Sequence, residues 1–160
     1  MRLSVVAVGR LKSGPERDLA ERYRERAEAL GRSGGFAPVE VVEIPESRAR
    51  RDADRRAEEA RAILDRAGSA PLVAFDERGG SLTSESLAEH LRRWRDGGTA
   101  ALVCAIGGAD GLDPSVRDRS VLVLSFGALT LPHQLVRVLV LEQLYRCLTI
   151  LAGHPYHRSG

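Results

Sequence analysis

The sequence predicts an α/β fold, a parallel-type sheet with helices on both faces. Three observations point to it. Five short runs are almost wholly apolar and β-branched, stretches of helical period separate them in alternation, and the runs are continuous instead of alternating, so neither sheet face is left to water.

The first strand is Leu3 to Val8. A helix from Glu16 to Leu30 follows, with Pro15 suited to its first turn and Gly31 able to close it in a left-handed conformation. Gly34, Gly35 and Pro38 turn the chain into the second strand, Val39 to Ile44. Ala49 to Ala67 is helical in period, Pro71 to Phe75 is the third strand, and Ser84 to Arg95 is the next helix. Ala100 to Ile106 is the fourth strand, Pro114 to Arg119 a short helix, Val121 to Leu124 the fifth strand, and Pro132 to Leu151 a long closing helix. No linker, repeat or low-complexity tract interrupts residues 1–160, so a single domain is expected.

The last helix is apolar around most of its circumference, with Arg137, Glu142, Gln143, Arg146 and Thr149 as a narrow polar minority. Charges at those positions disfavour a membrane span. The excess apolar surface favours a homodimer interface over the central helix of a monomer.

At 160 residues, 43% hydrophobic and 29% charged, the chain can bury its own core, and disordered, collagen-like and membrane-spanning classes are excluded. A net charge of +2 excludes an obligate nucleic-acid coat protein. Leu3 to Val8 is too short for a secretory segment, which predicts a cytoplasmic protein. Cys104 and Cys147, far apart, specify neither a disulfide framework nor a zinc knuckle and are expected to be buried thiols.

In an open parallel sheet, ligands bind at the carboxyl ends of the strands. Three loops leave those ends: Asp76 to Gly80, Gly107 to Gly111, and Ser125 to His133. Gly107-Gly108 lets backbone approach a ligand, but it belongs to neither a Gly-x-Gly-x-x-Gly nor a P-loop pattern, and a plain turn is the alternative. Gly79-Gly80 is expected to be a turn. The uncharged segment from Ser125 to Pro132 could hold a flat aromatic base, or be a buried crossing loop.

His133, His154 and His157 cluster near the end of the chain. Pro155 breaks a regular His-x-x-His face and no carboxylate follows, so no metal is expected. The tail His154-Pro155-Tyr156-His157-Arg158 could instead supply a general base, hydrogen bonds and positive charge, or be disordered. Arg48, Arg50, Arg51, Arg55 and Arg56, interleaved with acids, are expected on a solvated helix laced with ion pairs. At 4% of the chain, aromatic residues are too sparse for a base-stacking platform.

Several segments together carry a resemblance: Val5-Val6-Ala7-Val8-Gly9, Ile106-Gly107-Gly108 with Gly111-Leu112, Ala128-Leu129-Thr130-Leu131-Pro132-His133, Leu135-Val136-Arg137-Val138-Leu139, and His154-Pro155-Tyr156-His157. Over essentially the whole chain it resembles the small SPOUT-superfamily RNA methyltransferases of bacteria, which methylate N3 of a pseudouridine in 23S ribosomal RNA. The resemblance implies a C-terminal trefoil knot, expected within residues of about 100 to 155, against the rule that connections do not thread loops. It also implies a homodimer with S-adenosylmethionine bound in the knot. Cofactor contacts would then fall on Phe75, Gly108, Gly127, Ala128, Leu129, Thr130, Leu131 and Pro132. The family more often has leucine at the position of Phe75, and serine occurs at that of Gly127; backbone contacts would survive both changes.

The tail is where the resemblance implies catalysis: His157, Tyr156, Arg158 and His154, with Arg146 positioning them. A near-neutral chain of this size offers little surface for long RNA, so 23S rRNA is expected to be presented within the ribosome. The competing expectations are a non-catalytic cofactor-binding regulator on the same sheet and a ribosome-associated factor that needs no cofactor.

Overall fold

The computed structural model describes residues 1–157, and within them strands and helices alternate throughout. The order is β1 (Arg2–Val8), α1 (Pro15–Gly34), β2 (Val39–Ile44), α2 (Asp52–Ala67), β3 (Leu72–Gly80), α3 (Ser84–Asp96), β4 (Ala101–Ile106), α4 (Pro114–Arg119), β5 (Leu122–Leu124) and α5 (His133–Leu151). The strands form one sheet in the order β2-β1-β4-β3-β5, every neighbouring pair parallel. The α/β arrangement expected from the apolar runs is the one observed.

The two-faced burial follows from side-chain alternation along each strand. Leu3, Val5 and Ala7 of β1 join Val73, Leu102 and Cys104 in a core roofed by α1, α3 and α5. Val6 and Val8 face the other way and pack with Ala74, Val103 and Ala105 beneath Ile63 of α2 and Val116 of α4. Side chains start two of the helices: Thr83 accepts from the Ser86 amide at α3, and Asp113 accepts from the Ser115 amide at α4.

Three boundaries depart from expectation. α1 continues past Gly31 and ends at Gly35, whose φ of 78° is the left-handed closure expected earlier in the chain. α2 begins at Asp52, because the chain before it is held extended by Ser47, whose amide donates to Glu59 Oε1 at 2.9 Å. β3 does not stop at Phe75: after an irregularity it resumes, and Gly80 pairs with Leu124. Gly79 is therefore strand and not turn. A β-carbon there would lie 2.4 Å from the Leu124 carbonyl carbon, a separation no side chain can take.

α5 packs on α1 and α3 and over the sheet, and Val140, Leu141, Cys147 and Leu148 are buried within the chain itself. The apolar excess that suggested a subunit interface is thus largely covered internally; Leu135, 43% exposed, is the main residue left over. No helix among the described residues is long and apolar enough to cross a membrane.

One polar member of α5 is buried as deeply as the core. Arg137 is 2% exposed, donates from Nη1 to Glu43 Oε1 at 2.6 Å, and donates from Nη2 to the Gly9 carbonyl at 2.8 Å. A guanidinium taken out of water costs several kcal/mol unless it is paired and hydrogen-bonded. These bonds offset that cost while pinning the start of α5 to the carboxyl ends of β1 and β2.

Arg137→Ala leaves the Gly9 carbonyl without its guanidinium donor and Glu43 Oε1 with only the Leu11 amide, and chemical denaturation should show a loss of about 2–4 kcal/mol. Burial raises the Cys104 thiol to about 12 and raises Cys147 as well, so both stay protonated at pH 8. A thiol reagent at that pH should leave both unmodified in the native protein and label both after unfolding.

Candidate active site

The carboxyl ends of β3, β4 and β5 open into a cavity of about 360 Å³, and all three loops expected there contribute to its walls. This volume lies within the range that takes a drug-sized molecule or cofactor. Ile106 and Leu124, the last residues of β4 and β5, lie at its base, and Gly107 to Gly111 form one wall. In that wall the Gly111 amide donates to the Gly108 carbonyl at 3.1 Å, so the glycine segment is a tight turn as well as a cavity lining. Gly107 could carry no side chain, since a β-carbon would sit 2.8 Å from the Gly111 carbonyl carbon.

The opposite wall is aromatic. Phe75 stacks on Phe126 with ring centroids 5.4 Å apart and planes at 14°, and Phe126 remains 38% exposed. Ser125 organises the turn beyond it: its hydroxyl donates to the Gly127 carbonyl at 2.8 Å and accepts from the Gly127 amide at 3.1 Å. Gly127 has a φ of 129°, a conformation that side chains with a β-carbon rarely adopt. Phe75, Gly108, Gly127, Leu129, Thr130 and Leu131 line the cavity. Ala128 and Pro132 are exposed and stand outside the lining.

Part of the charge around the mouth is paired. Asp76, with only 7% of its side chain exposed, meets Arg117 Nη1 at 3.2 Å, and the same nitrogen donates to the Leu112 carbonyl at 2.6 Å. Asp110 accepts from Arg55 Nε at 2.6 Å and Nη2 at 3.0 Å, which holds its carboxyl below the usual range. Glu59 approaches the back of Gly108, and burial, the largest influence on it, pushes its carboxyl up.

Phe75, Phe126 and Gly127 also line a second hollow of about 280 Å³, together with Thr83, Ser84 and Gln143. The Ser84 hydroxyl donates to Gln143 Oε1 at 2.8 Å, joining the start of α3 to the middle of α5. The C-terminal tail folds back to this side. His157 Nε2 lies 2.7 Å from Glu85 Oε1, and Tyr156 donates its hydroxyl to Glu142 Oε1 at 3.2 Å. Arg146 bonds the same Glu142 and stacks its guanidinium 5.0 Å from the centre of the Tyr156 ring. His154 is exposed, and its Nδ1 accepts from the Tyr156 amide at 3.2 Å. Arg158 lies outside the described residues.

Tyr156, His157 and Arg146 are therefore gathered together, beside residues that line the second hollow; none of them lines the larger cavity. Burial, with hydrogen bonds to Tyr23 and Glu142, pushes the Tyr156 hydroxyl far up, so it keeps its proton at neutral pH. His157 Nδ1 is buried with no partner among the described residues. In the neutral ring, Nε2–H donating to Glu85 leaves the lone pair on Nδ1.

Sequence reasoning missed Arg56 and Arg117 as lining residues and named Phe126 only within the Ser125–Pro132 segment. The two arginines come from α2 and α4, and only the packing of those helices near the strand ends brings them to the cavity. Phe126 carried a signal, an aromatic residue one position after a strand end in an otherwise small-residue loop. Among the described residues no three metal-ligating side chains come together.

The family described as "Predicted SPOUT methyltransferase" matches residues 1–157. The ribosomal RNA large subunit methyltransferase H of Methylobacterium sp. (strain 4-46) is 65% identical over 162 residues, covering 100% of this chain and 99% of that protein. The protein of the same name from Bradyrhizobium sp. (strain ORS 278) is 58% identical over 163 residues, covering 99% of each. Two solved structures share the fold at low identity. A probable methyltransferase from Bordetella pertussis Tohama I has a TM-score of 0.54 at 11% identity, over 91% of this chain and 95% of that one. A probable methylase family protein from Haemophilus influenzae Rd KW20 has a TM-score of 0.55 at 10% identity, over 98% of this chain and 70% of that one. With the family matched over nearly its whole length and a cavity where its parallel strands end, this chain belongs to the SPOUT methyltransferase family.

Proposed function

We propose that the chain is an S-adenosylmethionine-dependent methyltransferase of large-subunit ribosomal RNA, acting in the cytoplasm on N3 of a pseudouridine of 23S rRNA within the assembled ribosome. The observation that carries this reading is the 360 Å³ cavity at the strand ends of a chain with this family membership. The shared name of its full-length relatives supports the choice of RNA.

The lining fits the cofactor. Phe126, Leu129 and Leu131 offer an apolar wall for an adenine ring, and backbone groups from Gly127 to Leu131 are suited to its polar edge. Glu77 brings a carboxylate that suits ribose hydroxyls or a cationic sulfur. When bound, the cofactor supplies an electrophilic methyl group on a sulfonium. Residues 125–132 run from β5, at the edge of the sheet, to the start of α5, where His133 stands beside Gly9 at the end of β1. That passage across the strand ends supports a trefoil knot in this part of the chain.

The imide N3 of pseudouridine holds its proton near neutral pH, so the chain must provide an acceptor. His157 Nδ1 is the atom assigned that proton, and Glu85, on Nε2, would hold the resulting imidazolium. Tyr156 stays protonated and serves as a hydrogen-bond donor, with Arg146 and Glu142 fixing its ring. His154 and Arg158 complete the assigned tail.

The proposed assembly is a homodimer. Leu129 is 81% exposed, and with Phe126 and Leu135 it leaves an apolar surface around the start of α5. A second copy on this surface would bring further groups to the cavity that the tail of the same chain does not line.

Incubation with ribosomes and methyl-labelled S-adenosylmethionine should place label in 23S rRNA, with more on ribosomes than on protein-free RNA. Calorimetric binding of the cofactor without any incorporation would instead support the non-catalytic regulator. His157→Ala should lower the single-turnover rate by about 10²–10³-fold while cofactor binding is unchanged, and full activity in that variant removes His157 from the chemistry. Light scattering should report twice the 17.4 kDa chain mass, and a species of the single mass refutes the dimer.

A further inference from the structure

We infer that two loops at the carboxyl ends of β1 and β2 form a phosphate-binding rim that guides the RNA backbone toward the cavity; the inference rests on the methyltransferase reading above. The first loop presents Arg10 and Lys12, the second Arg48 and Arg50, and all four are exposed.

Some arginines on the helices are paired with nearby acids, and others, Arg66 among them, have no ion pair among the described residues. On α1, α2 and α3, Arg24, Arg32, Arg56 and Arg92 are each satisfied by an acid three or four residues away. Lys12, Arg48 and Arg50 have no ion pair among the described residues. Arg10 lies 3.6 Å from Glu43, but Glu43 is already engaged by the buried Arg137 at 2.6 Å, and the Arg10 side chain is 86% exposed. The arginines expected on a single solvated helix thus divide. Arg51 and Arg56 pair with Asp54 and Asp52, whereas Arg48 and Arg50 precede the helix and have no ion pair among the described residues.

Both loops are anchored at the residue between their cations. Leu11 is buried at 6%, and its amide donates to Glu43 Oε1 at 2.9 Å, which leaves Arg10 and Lys12 on either side facing water. The Ala49 amide donates to Ser47 Oγ at 3.1 Å, and Arg55 Nη1 donates to the carbonyls of Ala49 and Arg50, each at 3.1 Å. The same Arg55 bonds Asp110 in the cavity wall, so the Arg48–Arg50 loop is tied directly to the cavity rim. β1 lies between β2 and β4, which sets the loop after β1 beside the Gly107–Gly111 wall and the loop after β2 one strand further out.

Unpaired, pre-positioned cations on one side of a small-molecule cavity suit a polyanion whose reacting base enters that cavity. Each phosphate neutralised releases counterions, so binding through this rim must weaken steeply with salt. A chain with a net charge of only +2 gains such attraction locally and not from its overall field.

The test compares the wild-type protein with Arg48→Gln/Arg50→Gln and Lys12→Gln, using 70S ribosomes as substrate, and with Arg66→Gln at the far end of α2 as control. The double variant should raise KM about tenfold at 0.1 M salt with kcat little changed, and flatten the slope of log KM against log salt by about 1.4. Lys12→Gln should produce about half that change in slope. Calorimetric binding of S-adenosylmethionine and the melting temperature should match wild type, which separates a lost RNA contact from misfolding. Unchanged KM and slope in both rim variants, or an equal change in Arg66→Gln, overturns the rim. If the wild-type protein transfers no methyl group to ribosomes, the methyltransferase reading fails first and the rim fails with it.

Discussion

A guanidinium sealed from water decides where the last helix of this protein begins. Arg137 reaches the carbonyl of Gly9 and the carboxylate of Glu43, and those groups belong to the ends of β1 and β2. Because an unpaired buried charge is far more costly than a paired one, the start of α5 cannot slide along the sheet without losing both bonds. The segment Ser125–Pro132 is thereby held at both ends, by the pairing of β5 with β3 on one side and by Arg137 on the other. Its length and path over the strand ends, and hence the cavity wall it provides, depend on that constraint.

The cavity itself is made by backbone as much as by side chains. Gly79 lies against Leu124, and Gly107 against Gly111, at separations that exclude a β-carbon. The first close approach seats β3 on β5 and the second closes the turn after β4, while the Phe75–Phe126 pair supplies the large apolar surface. The result is a closely packed floor with a wall partly open to solvent, which suits the proposed entry of a small molecule and then a base.

The tail is built as a separate unit. Glu142 receives both Arg146 and Tyr156, and Glu85 receives His157, so two carboxylates organise the groups assigned to the chemistry. They adjoin the second hollow across the aromatic pair from the larger cavity. The proposed division between a cofactor wall and a tail that takes the proton would give each part its own surroundings. The cavity combines apolar and backbone groups with charged side chains at its mouth, whereas the tail is dense in charge-assisted hydrogen bonds.

The order and type of every strand and helix were legible in the sequence because burial on both sheet faces writes continuous apolar runs, and crossover helices write a different period. The three loops at the strand ends were legible for the same reason, since parallel order forces them to one edge. What the sequence by itself could not determine was pairing over distance. That Gly79 is strand, that the apolar excess of α5 is covered within the chain, that Arg48 and Arg50 fall outside the helix, and that Arg137 is buried on Glu43 all depend on neighbours remote in the chain. Composition and period record how much surface a segment must bury; only the tertiary structure decides which partner buries it, because contact energies act between atoms that the fold, and not the order of residues, brings together.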